Sequence, residues 1–316
     1  DALLKDLLDA FGAVLIEGPK WCGKTTTASQ LANSILRMQD PSMRDEYLVT
    51  AKTKPSILLN GDTPRLIDEW QDAPMLWDAV RTTVDDRQIP GQFILTGSNA
   101  VDKSQIHHSG AGRITRLRML PMSLWESKES TGEVSLKELF NNPDYDIDGK
   151  MSKMSIEDLI FAASRGGWPA SLLARTPKAQ LLVAKNYVQT ICLDDISGID
   201  GKRRDAKLTS MILRAYARNV STLVKKKSLI DDVISSGEVS CHTDTFDDYV
   251  SALEKLFVIQ NVSAWCPAIR SKTAIRSSVK RCFCDPSIPI ALLGLSPEAL
   301  SMQLKTFGFI FEQMCI

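Results

Sequence analysis

The stretch "AVLIEGPKWCGKTTTA", Ala13 to Ala28, decides the fold. Its first five residues are an apolar run with the length and composition of a buried strand. Gly18, Gly23, Lys24 and Thr25 then satisfy G-x-x-x-x-G-K-[ST], with Pro19 and Cys22 inside the loop and Thr26 just after it. The glycines let the backbone turn its N–H groups inward toward phosphate oxygens. The helix start beyond them favours an anion. Lys24 adds a full positive charge for the β- and γ-phosphates, and the Thr25 hydroxyl is placed for Mg²⁺. In "TASQLANSIL", Ala28, Leu31, Ala32 and Ile35 fall at i, i+3, i+4 and i+7, which predicts a helix through Ile35.

Three later segments fit the same core. In "RLIDEWQDAP" (residues 65–74), Leu66 and Ile67 read as a strand ending in Asp68 and Glu69. A strand-tip Asp beside such a loop can hold Mg²⁺, and the acid after it can serve as general base toward a water. "FILTGSNA" (residues 93–100) reads as a buried strand with a polar tip, where Thr96 or Ser98 could hold the γ-phosphate or the attacking water. In "HHSGAGRITRLRMLPMSLWE" (residues 107–126), Arg113 directly precedes a strand pattern from Ile114 to Leu120, and Arg116 and Arg118 share one face of it. His107 and His108 are adjacent and point apart in any regular structure, and His242 is remote, so the histidines make no metal site.

Together these segments resemble the prokaryotic AAA-like P-loop ATPases that carry a long C-terminal region of unknown function. Further stretches of the same resemblance are "RGGWPASLL" (residues 166–173 with Arg165 before them) and "ALEKLFVIQNVSAWCPAIRSK" (residues 252–272). The resemblance implies an α/β fold: a P-loop NTPase core with a parallel sheet of the additional-strand type, in which the 93–97 strand lies between the P-loop strand and the Asp68 strand. It implies a helical lid, a winged-helix domain, and then a nuclease-like domain of which only the opening around "FGFIFE" would be present. It also implies ATP and Mg²⁺ as ligands, and Arg113 as an arginine finger serving a neighbouring subunit of a homo-oligomer. The other reading of Arg113 is a structural arginine bonded to loop carbonyls. The expected organisation is a core at 1–125, a connector and lid at 126–205, a winged helix at 206–290 and the start of a truncated domain at 291–316.

The remaining patterns refine this picture. Residues 126–154 are polar and rich in turn formers. Ser155 with Asp158 predicts a capped helix start, and Thr176 with Pro177 predicts another. Helical stripes near Met211–Val220, Leu223–Ser236 and Thr245–Phe257 predict a helix-turn-helix, with "FVIQNVSAWC" and "VKRCFCD" as wing strands. The third helix carries Asp247, Asp248 and Glu254, which oppose DNA phosphates. The wing carries Arg270, Lys272, Arg276, Lys280 and Arg281, a run suited to a DNA backbone or an acidic protein partner. Lysines and arginines balance aspartates and glutamates at 38 each, so no global field draws the chain to nucleic acid. Seven scattered cysteines fit free thiols in the cytoplasm, and no apolar run approaches a membrane span. Cys22, near a helix start, is a candidate for a stabilised thiolate whose oxidation would block the loop. The chain opens at Asp1 without a methionine, consistent with a removed leading segment, and the apolar pattern at "GFIFEQMCI" is expected to be cut short at Ile316. The function expected is Mg-dependent ATP hydrolysis that moves the lid and winged helix. The alternative is a nucleotide-responsive switch that binds DNA or protein with negligible turnover.

Overall fold

Along β1 (Ala13–Glu17) the first four side chains are all buried, Ala13 and Leu15 in one apolar cluster, Val14 and Ile16 in another. A strand apolar on both faces belongs in the middle of a parallel sheet covered on both sides. The computed structural model, which describes residues 2–100, 106, 108–142, 144–235, 237–264 and 278–316, places it so. The sheet has five strands in the order β2-β3-β4-β1-β5, with β2 at Ser34–Arg37, β3 at Arg65–Asp68, β4 at Phe93–Gly97 and β5 at Ile114–Arg118. All the pairings are parallel. β4 thus separates β1 from β3, which is the additional-strand order.

Helices α1 (Ala2–Ala10), α2 (Lys24–Ser29), α3 (Arg44–Thr53) and α4 (Leu76–Arg87) accompany the sheet. One cluster joins Leu4 and Leu8 of α1 and Ala28 of α2 to Val14, Ile16, Leu66 and Ile94. The other joins Trp77 and Val80 of α4 to Ala13, Leu15, Ile67, Phe93 and Leu95. The predicted helix through Ile35 is corrected here. α2 stops at Ser29, and Ile35 lies in β2. The apolar spacing was nonetheless a true record of burial, because Leu31, Ala32 and Ile35 all pack on the cluster that holds Ala28. The Asn33 N–H donates to the Pro64 carbonyl at 2.8 Å, drawing the chain into the sheet instead of a further helical turn.

The chain divides into two compact units. The first comprises Asp1–Leu120, Asp195–Arg203 and Asp248–Val258. The two late segments are tied to it by specific contacts. Lys20 pairs with Asp195 at 2.6 Å, the Ala100 N–H donates to the Lys255 carbonyl at 2.9 Å, and Arg118 lies over the Phe257 ring at 5.0 Å.

The second unit comprises Pro121–Asp194, Arg204–Asp247 and Ile259–Ile316. After one short helix, α5 (Leu136–Asn141), come α6 (Ile156–Arg165), α7 (Pro169–Leu173) and α8 (Pro177–Thr190). α6 begins with the predicted Ser155–Asp158 capping box, and α8 with Thr176 as N-cap and Pro177 in its first turn. The "RGGW" motif is a buried knot. The Gly167 N–H donates to Asp285 Oδ2 at 2.9 Å, and the Trp168 indole N–H donates to Ser287 Oγ at 3.0 Å. A Cβ on Gly167 would lie 2.1 Å from the Met122 carbonyl oxygen, so only glycine fits. Arg165 is buried and donates to Glu129 at 2.7 Å. Helices Ala206–Arg218, Lys226–Ile234 and Thr243–Lys255 follow, the last crossing the division between the units. Beyond them two isolated antiparallel bridges, Ile259–Phe283 and Val262–Lys280, join the flanking segments. The final helix, Leu304–Met314, packs into this unit through Phe307 and Ile310, and its Gln313 both accepts from and donates to the Phe283 backbone.

Candidate active site

Parallel strands in register bring Glu17, Gly97 and Asp68, the last residues of β1, β4 and β3, to one edge of the sheet. The loop Gly18–Gly23 leaves β1 at that edge. Gly18 is required there by contact, because a Cβ would lie 2.0 Å from the Met119 carbonyl oxygen. Gly23 is required by conformation, with φ 102 at the start of α2. The first N–H groups of α2, those of Lys24, Thr25 and Thr26, have no carbonyl one turn behind them within the helix. The Lys24 side chain is buried and its ammonium donates to the carbonyls of Gly18 (3.0 Å) and Pro19 (2.7 Å). Burial pushes its pKa below the usual lysine value, while Cys22, Glu69 and Asp68 act in the opposite direction.

Three segments meet at Asp68. Its Oδ1 accepts from the Thr25 hydroxyl at 2.7 Å and from the Thr96 hydroxyl at 2.6 Å. Thr96, fully buried, also accepts the Glu69 N–H at 3.1 Å. Glu69 has φ 56 and ψ 50, a conformation rare for a residue with a side chain. Its Oε2 accepts from the Ser98 hydroxyl at 3.1 Å and from the Gln71 amide. Thr25, Asp68, Glu69, Thr96 and Ser98 therefore form one network, in which Thr96 has its proton and one lone pair engaged within the protein.

Cys22 departs from the sequence expectation, and Arg113 lies away from its own chain's loop, where both readings of it remain open. Cys22 is fully buried against the Met119 carbonyl, and burial pushes its thiol pKa up in spite of Lys24 nearby, which works against the expected thiolate. Arg113 lies at the opposite edge of the sheet. It precedes Ile114, which pairs with Ala13, the first residue of β1, and its carbonyl accepts the Ala13 N–H at 3.0 Å. The strand between it and the loop spans about 15 Å, so Arg113 does not reach this loop within its own chain. Its guanidinium donates to Asp85 at 2.6 Å and to the Ala111 carbonyl at 3.3 Å.

Two site contacts had no assigned role in the sequence. Gln71 stood inside the quoted "RLIDEWQDAP", but nothing in its spacing marked it. Asp195 pairs with Lys20 of the loop across 175 residues, a separation that leaves no local pattern. Of the basic run, Arg270, Lys272 and Arg276 lie outside the described residues. Lys280 pairs with Glu312, while Arg281 lies 5.8 Å from the Tyr216 ring centroid and donates to Asn261 at 3.3 Å. Among the described residues there is no cluster of three or more His, Cys, Asp or Glu that could hold a metal, and no helix is long and apolar enough to cross a membrane.

A β-strand, a glycine-bounded loop with a buried lysine, and an Asp–Glu pair across an intervening strand make up an α/β core of the P-loop NTPase type. Comparison with known families agrees: residues 10–128 match the AAA domain family, and residues 156–299 match a domain of unknown function (DUF8612). The chain thus carries a segment similar to AAA domains ahead of a segment similar to a domain of unknown function. An uncharacterized protein of Mycobacterium tuberculosis and one of Mycobacterium bovis are each 24% identical to it over 328 aligned positions, covering 99% of this chain. The chain spans 64% of the length of these relatives. A Walker-type ATPase of Pyrococcus abyssi has a similar fold, with a TM-score of 0.52 at 13% identity over 92% of this chain and 93% of that one.

Proposed function

We propose that the chain binds ATP with Mg²⁺ at the Gly18–Thr26 loop and hydrolyses it. The observation that carries this reading is the network joining Thr25, Asp68, Thr96 and Glu69 beside a buried lysine. The donor set fits a hydrated Mg²⁺: Thr25 gives its proton to Asp68, so its lone pairs face outward, and no all-protein cage is needed. Bound there by Thr25 and Asp68, the ion would neutralise phosphate charge. Loop amides and Lys24 hold the triphosphate, the lysine exchanging its bonds to Gly18 and Pro19 for phosphate oxygens. Glu69 takes a proton from the attacking water as its oxygen bonds the γ-phosphorus and the β–γ bridge breaks, giving ADP and phosphate.

In this reading nucleotide state moves the helical region at 126–205 and the three-helix module at 206–290, and Arg113 completes the nucleotide site of a neighbouring copy. The non-hydrolysing switch has less support, because both described members of the basic run are engaged by neighbouring side chains. The test is calorimetry and phosphate release on the wild type, Lys24→Ala and Glu69→Gln. Lys24→Ala is expected to lose Mg-ATP binding, and Glu69→Gln to keep binding while turning over at least about 100-fold more slowly. Wild-type protein that binds no nucleotide, or Glu69→Gln at the wild-type rate, would overturn the assignment.

A further inference from the structure

We propose that Gln71 is a positioning residue that, with Ser98, sets the orientation of the Glu69 carboxylate. The inference rests on the hydrolytic reading above and adds a residue to it. The left-handed backbone at Glu69 turns the chain sharply after β3 into a short 3-10 turn, Trp70–Asp72. Trp70 anchors that turn, being 2% exposed with its ring 5.0 Å from Trp77. The turn carries the Gln71 amide back onto Glu69, where it donates to Oε2 and, at 3.4 Å, approaches Ser98 Oγ. Ser98, itself buried at the tip of β4, donates to the same Oε2 at 3.1 Å. Two donors from different elements converge on one carboxylate oxygen, so Oε1 is the oxygen offered to a water proton.

The sense of the Gln71 amide follows from chemistry. Reversed, its oxygen would face a carboxylate oxygen at hydrogen-bond distance, which is repulsive. In the observed sense the amide oxygen is buried with no hydrogen-bond partner among the described residues. A buried acceptor left unpaired is unfavourable and calls for an explanation. Holding Glu69 supplies one, because the amide nitrogen can bond the carboxylate only by leaving its oxygen against the Gly97 side of the tip.

The test compares wild type, Gln71→Ala and Gln71→Glu for Mg-ATP affinity, kcat and KM. Gln71→Ala is expected to bind Mg-ATP within twofold of wild type, which also reports a folded loop, while kcat falls about 10- to 100-fold at unchanged KM. Gln71→Glu keeps the shape of the side chain and removes the donor that faces Glu69, so kcat is expected to fall at least about tenfold while KM is kept. A residue that merely packs would leave kcat of this near-isosteric variant at the wild-type value. Wild-type turnover with kcat of Gln71→Ala or of Gln71→Glu inside twofold of it overturns this assignment alone. Wild-type protein that binds Mg-ATP without releasing phosphate overturns the reaction and this assignment together.

Discussion

Replacing Thr96 by valine exchanges one hydroxyl for a methyl of nearly the same volume, so the change isolates hydrogen bonding from packing. That hydroxyl donates to the Asp68 carboxylate at 2.6 Å and accepts the Glu69 N–H at 3.1 Å, in a residue with no exposure to solvent. A bond to a charged acceptor is worth about 1.5–3 kcal/mol, and a buried N–H left unpaired costs about 1–3 kcal/mol. Asp68 keeps its bond from Thr25 at 2.7 Å, which favours the low end of the first figure. Valine also gains a little from burying its methyl, so the expected net loss is about 3 kcal/mol. With a denaturant slope of about 2 kcal/mol/M, that moves the urea midpoint of the first unit down by about 1.5 M. Tryptophan fluorescence reports it, because Trp70 and Trp77 are buried in this unit. The control is Thr96→Ser, which keeps the hydroxyl and loses a methyl, at a cost of about 1 kcal/mol. Valine must therefore be worse than serine. The reverse order, or valine within 0.5 kcal/mol of wild type (about the usual scatter of a surface change), would show that the network contributes nothing to stability.

Three further outcomes are expected. Gly18→Ala forces a methyl against the Met119 carbonyl and should weaken Mg-ATP binding at least about tenfold in calorimetry; unchanged affinity would mean that the loop has another shape. Buried Cys22 should react with iodoacetamide more slowly than the exposed Cys315, and labelling of Cys315 alone should leave nucleotide affinity as it was; peptide mass mapping over time checks the order. Burial raises the Asp285 pKa against the bonds from Ser287 and Gly167. Its folded pKa thus exceeds its unfolded one, and the linked stability is complete below the unfolded value near 4 and is lost as pH rises through the folded value. Urea titrations between pH 4 and 8 should show Asp285→Asn gaining on wild type as pH increases; a gap that stays constant would contradict the shift.

Much of the first unit was legible because its signals are local. An apolar run, two glycines at fixed spacing and a lysine specify strand, loop and helix within sixteen residues, and the acids after Ile67 and the polar residues after Leu95 mark where strands end. Helix starts at Ser155 and Thr176 were legible for the same reason, since a cap is a short-range bond. The extent of α2 was not, because spacing records which side chains are buried and not the backbone angles that bury them: Ile35 reaches the same cluster from a strand. The sheet edge on which Arg113 sits follows from the parallel register with β1, which no single segment displays. Within the site, Lys24, Thr25 and Asp68 were found by motif, but Gln71 and Asp195 act through contacts that depend on a left-handed turn in one case and on the meeting of distant segments in the other.

The first unit draws on residues 195–203 and 248–258 as well as the first 120. A ribosome making this chain releases the whole phosphate-binding loop long before it releases the partners of Lys20, Ala100 and Arg118. The contacts of the second of those late segments can form only once Val258 has cleared the exit tunnel. Cutting the gene after the last strand would consequently yield a polypeptide that has every motif residue and still lacks two pieces of its own wall.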